Sequence, residues 1–277
     1  MADTAVPAAH EFRSIADSLR EEVVRYYRSR GENLSGRAGD RTLETNSSLV
    51  ESRGGLLLHI LEQAGGPRSV EGLRIVDLGC GLGALSVFFA AHGATVVGLD
   101  RDRSRMEVGA AVAGRYGLGV EFLAGSMQRL DLPDGAFDLA VQNNSLCYLV
   151  PREDRARALS EAWRVLRPGG WLLMHNPNRW TPVDQFSGLP AITFLPSSAA
   201  TRVARALSKP RSRVRLTSPL EAKRELRRAG FADIGMIAPP ARRWTGFLRA
   251  LARYQHLVAQ RPPADADGHV GSDRSER

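Results

Sequence analysis

Residues 76–83 read Val-Asp-Leu-Gly-Cys-Gly-Leu-Gly, and the run Thr95-Val96-Val97-Gly98-Leu99-Asp100 follows, ending in a carboxylate. The first stretch is an apolar strand that enters a turn too tight for side chains. The intervening residues Ala84–Ala91 are apolar and closed by Gly93, which suits a short buried helix. Strand, glycine turn, helix and a second strand ending in an acid form a unit that holds a nucleoside by its ribose. The dinucleotide version of this turn is G-x-G-x-x-G, with a third glycine that lets helix and strand approach beside a pyrophosphate. Here the spacing is Gly79, Gly81, Gly83, and Asp77 precedes the first glycine, so the turn departs from that version.

Outward from this unit, strands and helical segments alternate. Leu73–Leu78 and Thr95–Asp100 are the first two strands, with a helix over 104–116 ended by Gly117. Val120–Leu123 and Phe137–Gln142 read as the third and fourth strands. A helix over 152–166 follows, broken by Pro168-Gly169-Gly170, and Trp171–His175 is the fifth strand. Alternation of this kind predicts an α/β fold with a Rossmann-like, doubly wound and mostly parallel sheet of six or seven strands. Before the core, Phe12, Ile15, Leu19, Val23 and Tyr26 recur at helical spacing, so 8–29 is an amphipathic helix. A polar loop is expected from Gly31 to Ser48, then a helix through Leu49, Leu57 and Leu61.

After the fifth strand the pattern loosens. Residues 177–216 are rich in Pro, Ser and Arg and read as an insertion. Ser218-Pro219-Leu220-Glu221 is a capping box with Pro at the first helical position. That helix ends at Gly230, Phe231–Ile237 is a strand, and Trp244, Phe247, Leu248, Leu251, Tyr254 and Val258 suit one more amphipathic helix. The expected organisation is a cap of helix and loop (1–48), a core (49–176), a second cap insertion (177–216) and a closing helix-strand-helix (217–260). The polar tail 261–277 is expected to be disordered.

The chain of 277 residues is long enough for one such domain with its caps, and 43% hydrophobic content is ordinary for a globular protein. Its net charge is +8, carried almost wholly by arginine, since Lys209 and Lys223 are the only lysines. The cations concentrate over 202–228, which reads as a solvated basic face, with an anionic partner as the alternative. No apolar run reaches membrane-spanning length. No signal peptide is visible in Met1–Pro7, so the cytoplasm is the expected compartment. Cys80 and Cys147 supply neither a disulfide framework nor a metal-ligand cluster, and no metal is expected.

Taken together, these motifs resemble the class I S-adenosylmethionine-dependent methyltransferases, in particular the small-molecule branch that includes the ubiquinone/menaquinone biosynthesis type. The resemblance covers about residues 50–176 and rests on five ordered stretches. They are the 76–83 turn, Asp100, Gly125-Ser126-Met127, the strand from Phe137-Asp138 to Asn143-Asn144, and Leu166-Arg167-Pro168-Gly169-Gly170. It implies S-adenosyl-L-methionine as cofactor, held by Asp77, Gly79, Cys80, Gly81, Gly83, Asp100, Arg101, Ser126, Met127 and Asn143. Asp100 would accept both ribose hydroxyls, and Ser126 stands where the family has a longer acid or amide for the adenine. Such a cofactor has no pyrophosphate, so the altered glycine spacing costs nothing.

Methyl transfer needs alignment and exclusion of water, with a base only where the acceptor must lose a proton. His175, at the carboxyl end of the fifth strand, is the candidate base, with a structural histidine as the other reading. Arg179 is a candidate for an anionic acceptor or a structural ion pair, and Phe186 replaces a histidine of the family's pocket-covering turn. Tyr26, Tyr27 and Arg53 are read as helix packing or as a cover for the cofactor. The expected function is methylation of a small-molecule acceptor, oxygen first, nitrogen or carbon next. An RNA-modifying methyltransferase and a non-catalytic binding protein are the alternatives. Nucleic acid is not the expected partner, because Asn143-Asn144-Ser145-Leu146 lacks the Pro-Pro-aromatic pattern of base-amino methylation and neither cysteine follows a proline.

Overall fold

A computed structural model of the chain describes residues 9–48, 50–209, 211–237 and 254–264. Its first strand, β1 (Arg74–Leu78), is buried from Ile75 onward, and apolar runs of this kind form strands that are covered on both faces. Beside it lie β2 (Thr95–Asp100), β3 (Val120–Ala124), β4 (Phe137–Asn143) and β5 (Leu166–Pro177), all parallel. Two further strands, β6 (Ala232–Ile237) and β7 (Tyr254–Gln260), complete a seven-stranded sheet in the order β3-β2-β1-β4-β5-β7-β6. β7 is antiparallel to both neighbours. The order in which successive strands join the sheet reverses between β1 and β4, which remain parallel, and ligands of open α/β sheets gather outside the strand ends at such a switch point.

Helices cover both faces. On one side, α1 (Ala9–Ser29), α3 (Val50–Gln63), α4 (Ala84–Ala91) and α5 (Arg103–Tyr116) pack Leu19, Ile60, Phe89 and Val112 against Ile75, Leu139 and Leu173. On the other, α6 (Arg152–Val165) and α8 (Pro219–Arg228) bring Leu159, Ala162 and Leu226 onto Val76, Ala140 and Leu172. Arg155 of α6 is 2% exposed and tied to Glu225 of α8 at 2.7 Å and to the Leu146 carbonyl at 2.8 Å. A guanidinium can be buried there because both its charge and its donors are met. The capping box of α8 forms as the sequence predicts, with Ser218 and Glu221 each bonded to the other's backbone nitrogen.

Three sequence expectations change. The polar stretch 31–48 contains α2 (Gly36–Leu43) and a π-helical turn, Glu44–Ser48, rather than a loop. Ser47 buries its hydroxyl on the Leu43 carbonyl at 2.8 Å, an i−4 bond that a polar composition hides. The predicted last helix is, over its described part, strand β7, and this is the seventh strand that the sequence left open; residues 238–253 lie outside the described set. The tail expected from Arg261 begins with an ordered residue. Its backbone exchanges bonds with Gly169 and Gly170, and its guanidinium lies 3.9 Å from the Trp163 ring centre. Residues 265–277 are not described.

Within the insertion, α7 (Ser197–Ala206) packs Ala200 and Ala204 on Ile192 and Leu189. No helix among the described residues is long and apolar enough to cross a membrane.

Candidate functional site

A cleft of 540 Å³ opens at the carboxyl ends of β1, β2 and β4. Its floor is the glycine turn. Gly79 has φ 80°, and a Cβ placed on it would fall 2.4 Å from Ser145 Cβ, so only glycine lets β1 turn under the end of β4. Ser145 locks that approach by donating its hydroxyl to the Leu78 carbonyl at 2.6 Å. Gly83, also left-handed at φ 77°, serves packing instead. A Cβ there would meet the Phe122 ring at 2.7 Å and Gly109 Cα at 3.0 Å, so this glycine lets α4 sit on α5. Gly83 is not part of the cleft wall, whereas Gly79, Cys80 and Gly81 are.

Asp100 stands at the end of β2 over this floor. One carboxylate oxygen accepts the Gly81 amide at 2.9 Å and the other accepts the Asp102 amide at 3.0 Å. The two oxygens are thereby fixed in orientation, and each keeps lone-pair capacity for a further donor. A fixed carboxylate with two free acceptor directions suits a vicinal diol.

Asp77 is buried in the floor and accepts the Ser86 hydroxyl at 2.8 Å. Burial pushes its carboxyl up to about 7, with the charge of Asp100 adding to the rise and the Ser86 bond opposing it. A carboxyl raised in this way ionises readily when a cation enters beside it. The consequence for pH is specific. Because the folded value lies above the unfolded 3.8, Asp77 costs stability progressively as pH rises from about 4 to about 7. The Asp77→Asn protein is therefore expected to be the more stable of the two at pH 8 in urea melts. The gap should shrink toward pH 4, because neutral Asp77 and Asn then differ little. His175 and His256 act oppositely but equally in both proteins, so the difference isolates Asp77. A gap that is flat from pH 4 to 8 would rule out a raised carboxyl.

Arg101 and Met127 line the cleft beyond Asp100, and Ser126 does not. The Arg101 guanidinium donates to Ser126 Oγ at 3.0 Å and to Gln128 Oε1, and Ser126 donates to the same Gln128 oxygen at 2.6 Å. Ser126 is thus committed to its neighbours, and the chain reaches the cleft here through Gly125 and Met127. Across the floor, Asn143 and Asn144 close the end of β4. Asn144 adopts φ 55° and donates its amide to the His175 carbonyl at 2.7 Å. The buried Oδ1 atoms of Asn143 and Asn144 have no protein donor, leaving two acceptors at the cleft wall.

His175 lies lower. It is 5% exposed and is not in the cleft wall; its ring stacks on Tyr254 at 4.4 Å and lies 4.6 Å from His256. Burial, then His256 and Arg53, hold its pKa well below the usual histidine value, so the ring is neutral at ordinary pH. The sequence places it correctly at a strand end, but β7 covers it. Tyr254 takes the position at the cleft that the sequence assigned to His175. Arg179 pairs with Glu221 at 3.7 Å and does not line the cleft. Burial also raises both thiols, Cys147 to about 12, so neither cysteine is a thiolate nucleophile.

The other rim is built from Arg53, Tyr148, Gln185, Phe186 and Tyr254, drawn from four separate segments. Arg105 lies over the turn, with its guanidinium 3.0 Å from where a Gly81 Cβ would stand. Sequence reading missed Arg105, Tyr148, Gln185 and Tyr254. Tyr148 alone had a usable signal, since it follows the strand-four end by a few residues and loops there line such sites.

Residues 76–174 match the methyltransferase-domain family model. A probable S-adenosylmethionine-dependent methyltransferase of Mycolicibacterium smegmatis is 36% identical over 110 residues, 40% of each chain. The ubiquinone biosynthesis O-methyltransferase of Brucella anthropi is 31% identical over 113 residues, 41% of this chain and 44% of that protein. The matched region is thus less than half the length of these curated relatives. Among solved structures, the 1,6-didemethyltoxoflavin-N1-methyltransferase of Burkholderia thailandensis, crystallised with its acceptor and S-adenosylhomocysteine, shares the fold. Its TM-score is 0.54 at 20% identity, over 94% of this chain and 93% of that one.

Proposed function

We propose, on the premise that residues 76–174 are a class I methyltransferase domain, that this protein methylates a small-molecule acceptor in the cytoplasm, with oxygen as the acceptor atom. The observation that carries the reading is Asp100, a carboxylate with both oxygens oriented by backbone amides beside a glycine floor and a buried acid. S-adenosyl-L-methionine, when bound, supplies a methyl group already activated on a sulfonium. The residues of the cleft suit that molecule: Asp100 for the ribose diol, Asp77 for an ammonium, and Asn143 for a donor it lacks within the protein. Met127 and Leu99 give the base an apolar seat.

The protein's own work is positioning and exclusion of water. Gly79 and Ser145 fix the floor, and Tyr148, Phe186 and Tyr254 wall the acceptor side. Alignment of this kind supplies most of the rate in a displacement that needs no new charge from the enzyme. Neutral His175, one ring behind Tyr254, is kept as a candidate base only through that tyrosine. Calorimetric titration with S-adenosylhomocysteine, followed by mass-shift detection of products from a metabolite pool with labelled methyl donor, tests the proposal. Saturable binding and a methyl-shifted product are expected. Saturable NAD(P)H binding without S-adenosylhomocysteine binding would instead mark a nucleotide-linked oxidoreductase.

A further inference from the structure

The end of the cleft at β2 and β3 is lined by Leu99, Arg101, Gly125 and Met127. Of these four, Arg101 alone has a strongly hydrogen-bonding side chain, and a guanidinium donates without accepting. Beside it, outside the wall, stand the side-chain oxygens of Ser126 and Gln128.

Both oxygens are full. A hydroxyl has one proton to give and two lone pairs, and an amide oxygen has two lone pairs. Ser126 gives its proton to Gln128 Oε1 at 2.6 Å. It accepts from Arg101 at 3.0 Å and, at the longer distance of 3.4 Å, from the Gln128 backbone nitrogen. Gln128 Oε1 receives both Ser126 and Arg101. The Gln128 side chain also bonds Asp154 in the first turn of α6, which ties the cluster to a second element. Ser126 can turn toward the cleft only by giving up all of its bonds.

The 6-amino group of adenine is a hydrogen-bond donor. Among the described residues, this end of the wall offers it no side-chain oxygen with a lone pair to spare. The faces of any purine, by contrast, suit the apolar Leu99 and Met127 side chains and a planar guanidinium. The bonds from Arg101 to Ser126 and Gln128 both leave from Nη2, so Nη1 and Nε keep donors for another acceptor.

We propose, resting on the reading of the cleft as an S-adenosylmethionine site, that it holds the base by its faces and does not select adenine by the 6-amino group. The ligand class is therefore wider than the adenosine compounds. It includes thioether nucleosides whose purine carries a 6-oxo group, an acceptor that Arg101 can meet.

Calorimetric titration of the full chain with S-adenosylhomocysteine and with S-inosylhomocysteine, its 6-oxo counterpart, tests this. The two are expected to bind within about threefold of each other, since no bond to the amine is lost. Ser126→Asp should favour S-adenosylhomocysteine by about tenfold, because a carboxylate keeps lone pairs for the amine after meeting Arg101. Thermal melts confirm that the variant is folded. A preference for S-adenosylhomocysteine of about tenfold or more in the parent protein overturns the proposal, because the amine is then bonded. Equal binding that Ser126→Asp leaves equal also overturns it, because the base then lies away from residue 126. Binding of neither compound refutes the cofactor reading itself, whereas binding of S-adenosylhomocysteine alone refutes only the inference about the base.

Discussion

Asp100→Asn is expected to weaken S-adenosylhomocysteine binding about a hundredfold in calorimetric titration, with little change in melting temperature. The carboxylate has two oriented oxygens, each already accepting one backbone amide. Asparagine keeps one acceptor oxygen and turns the other into a donor aimed at an amide or a ribose hydroxyl. Two charge-assisted hydrogen bonds to the ligand are lost, at about 1.5 kcal/mol each, which corresponds to roughly two decades in affinity. Stability changes little because Asp100 is half-exposed and water can take up the freed Asp102 amide. An affinity within twofold of the parent protein would remove the ribose from Asp100 and with it the principal support for the cofactor.

Gly79→Ala acts on the fold first. An L-residue at φ 80° costs about 1–2 kcal/mol, and the added Cβ would stand 2.4 Å from Ser145 Cβ, which overpacks a tied contact by a further 1–3 kcal/mol or so. A loss of about 3 kcal/mol is expected in urea melts. The two contributions separate in a double-mutant cycle with Ser145→Gly. That change alone costs about 1 kcal/mol for the lost bond to the Leu78 carbonyl, and it removes the clash but not the backbone strain. A coupling of at least about 1 kcal/mol between the two sites is expected. Strict additivity would mean that β4 does not press on the turn.

The half of the cleft around the glycine turn was legible because its parts are local. Gly79 and Gly81 follow β1 and Asp100 ends β2, adjacent parallel strands joined by one short helix, so chain spacing alone brings the carboxylate over the turn. Asp77 was visible as a residue but not as a raised acid, because its burial comes from α4 folding Ser86 over it. Ser126 shows the limit of motif position: it sits at the right place in the chain, yet its hydroxyl is spent on Arg101 and Gln128.

The opposite half, walled by the insertion and β7, was not legible. Tyr254 and Val258 fit an amphipathic helix, but Gln255 to Ala259 are all buried because β7 is inserted between β5 and β6 and covered on both faces. Periodicity cannot reveal a strand without an exposed face. That insertion also buries His175 beneath Tyr254 and His256 and takes its ring out of the cleft.

By itself, then, the sequence determined the parallel core, the glycine turn and the carboxylate above it, since each is a short-range pattern of apolar runs, glycines and one acid. Tertiary structure decided the rest. Arg53, Tyr148, Phe186 and Tyr254 meet only because the sheet closes through an antiparallel strand and the insertion folds back across its end. Contacts between segments far apart in the chain depend on the register and packing of the whole sheet, and no local spacing records them.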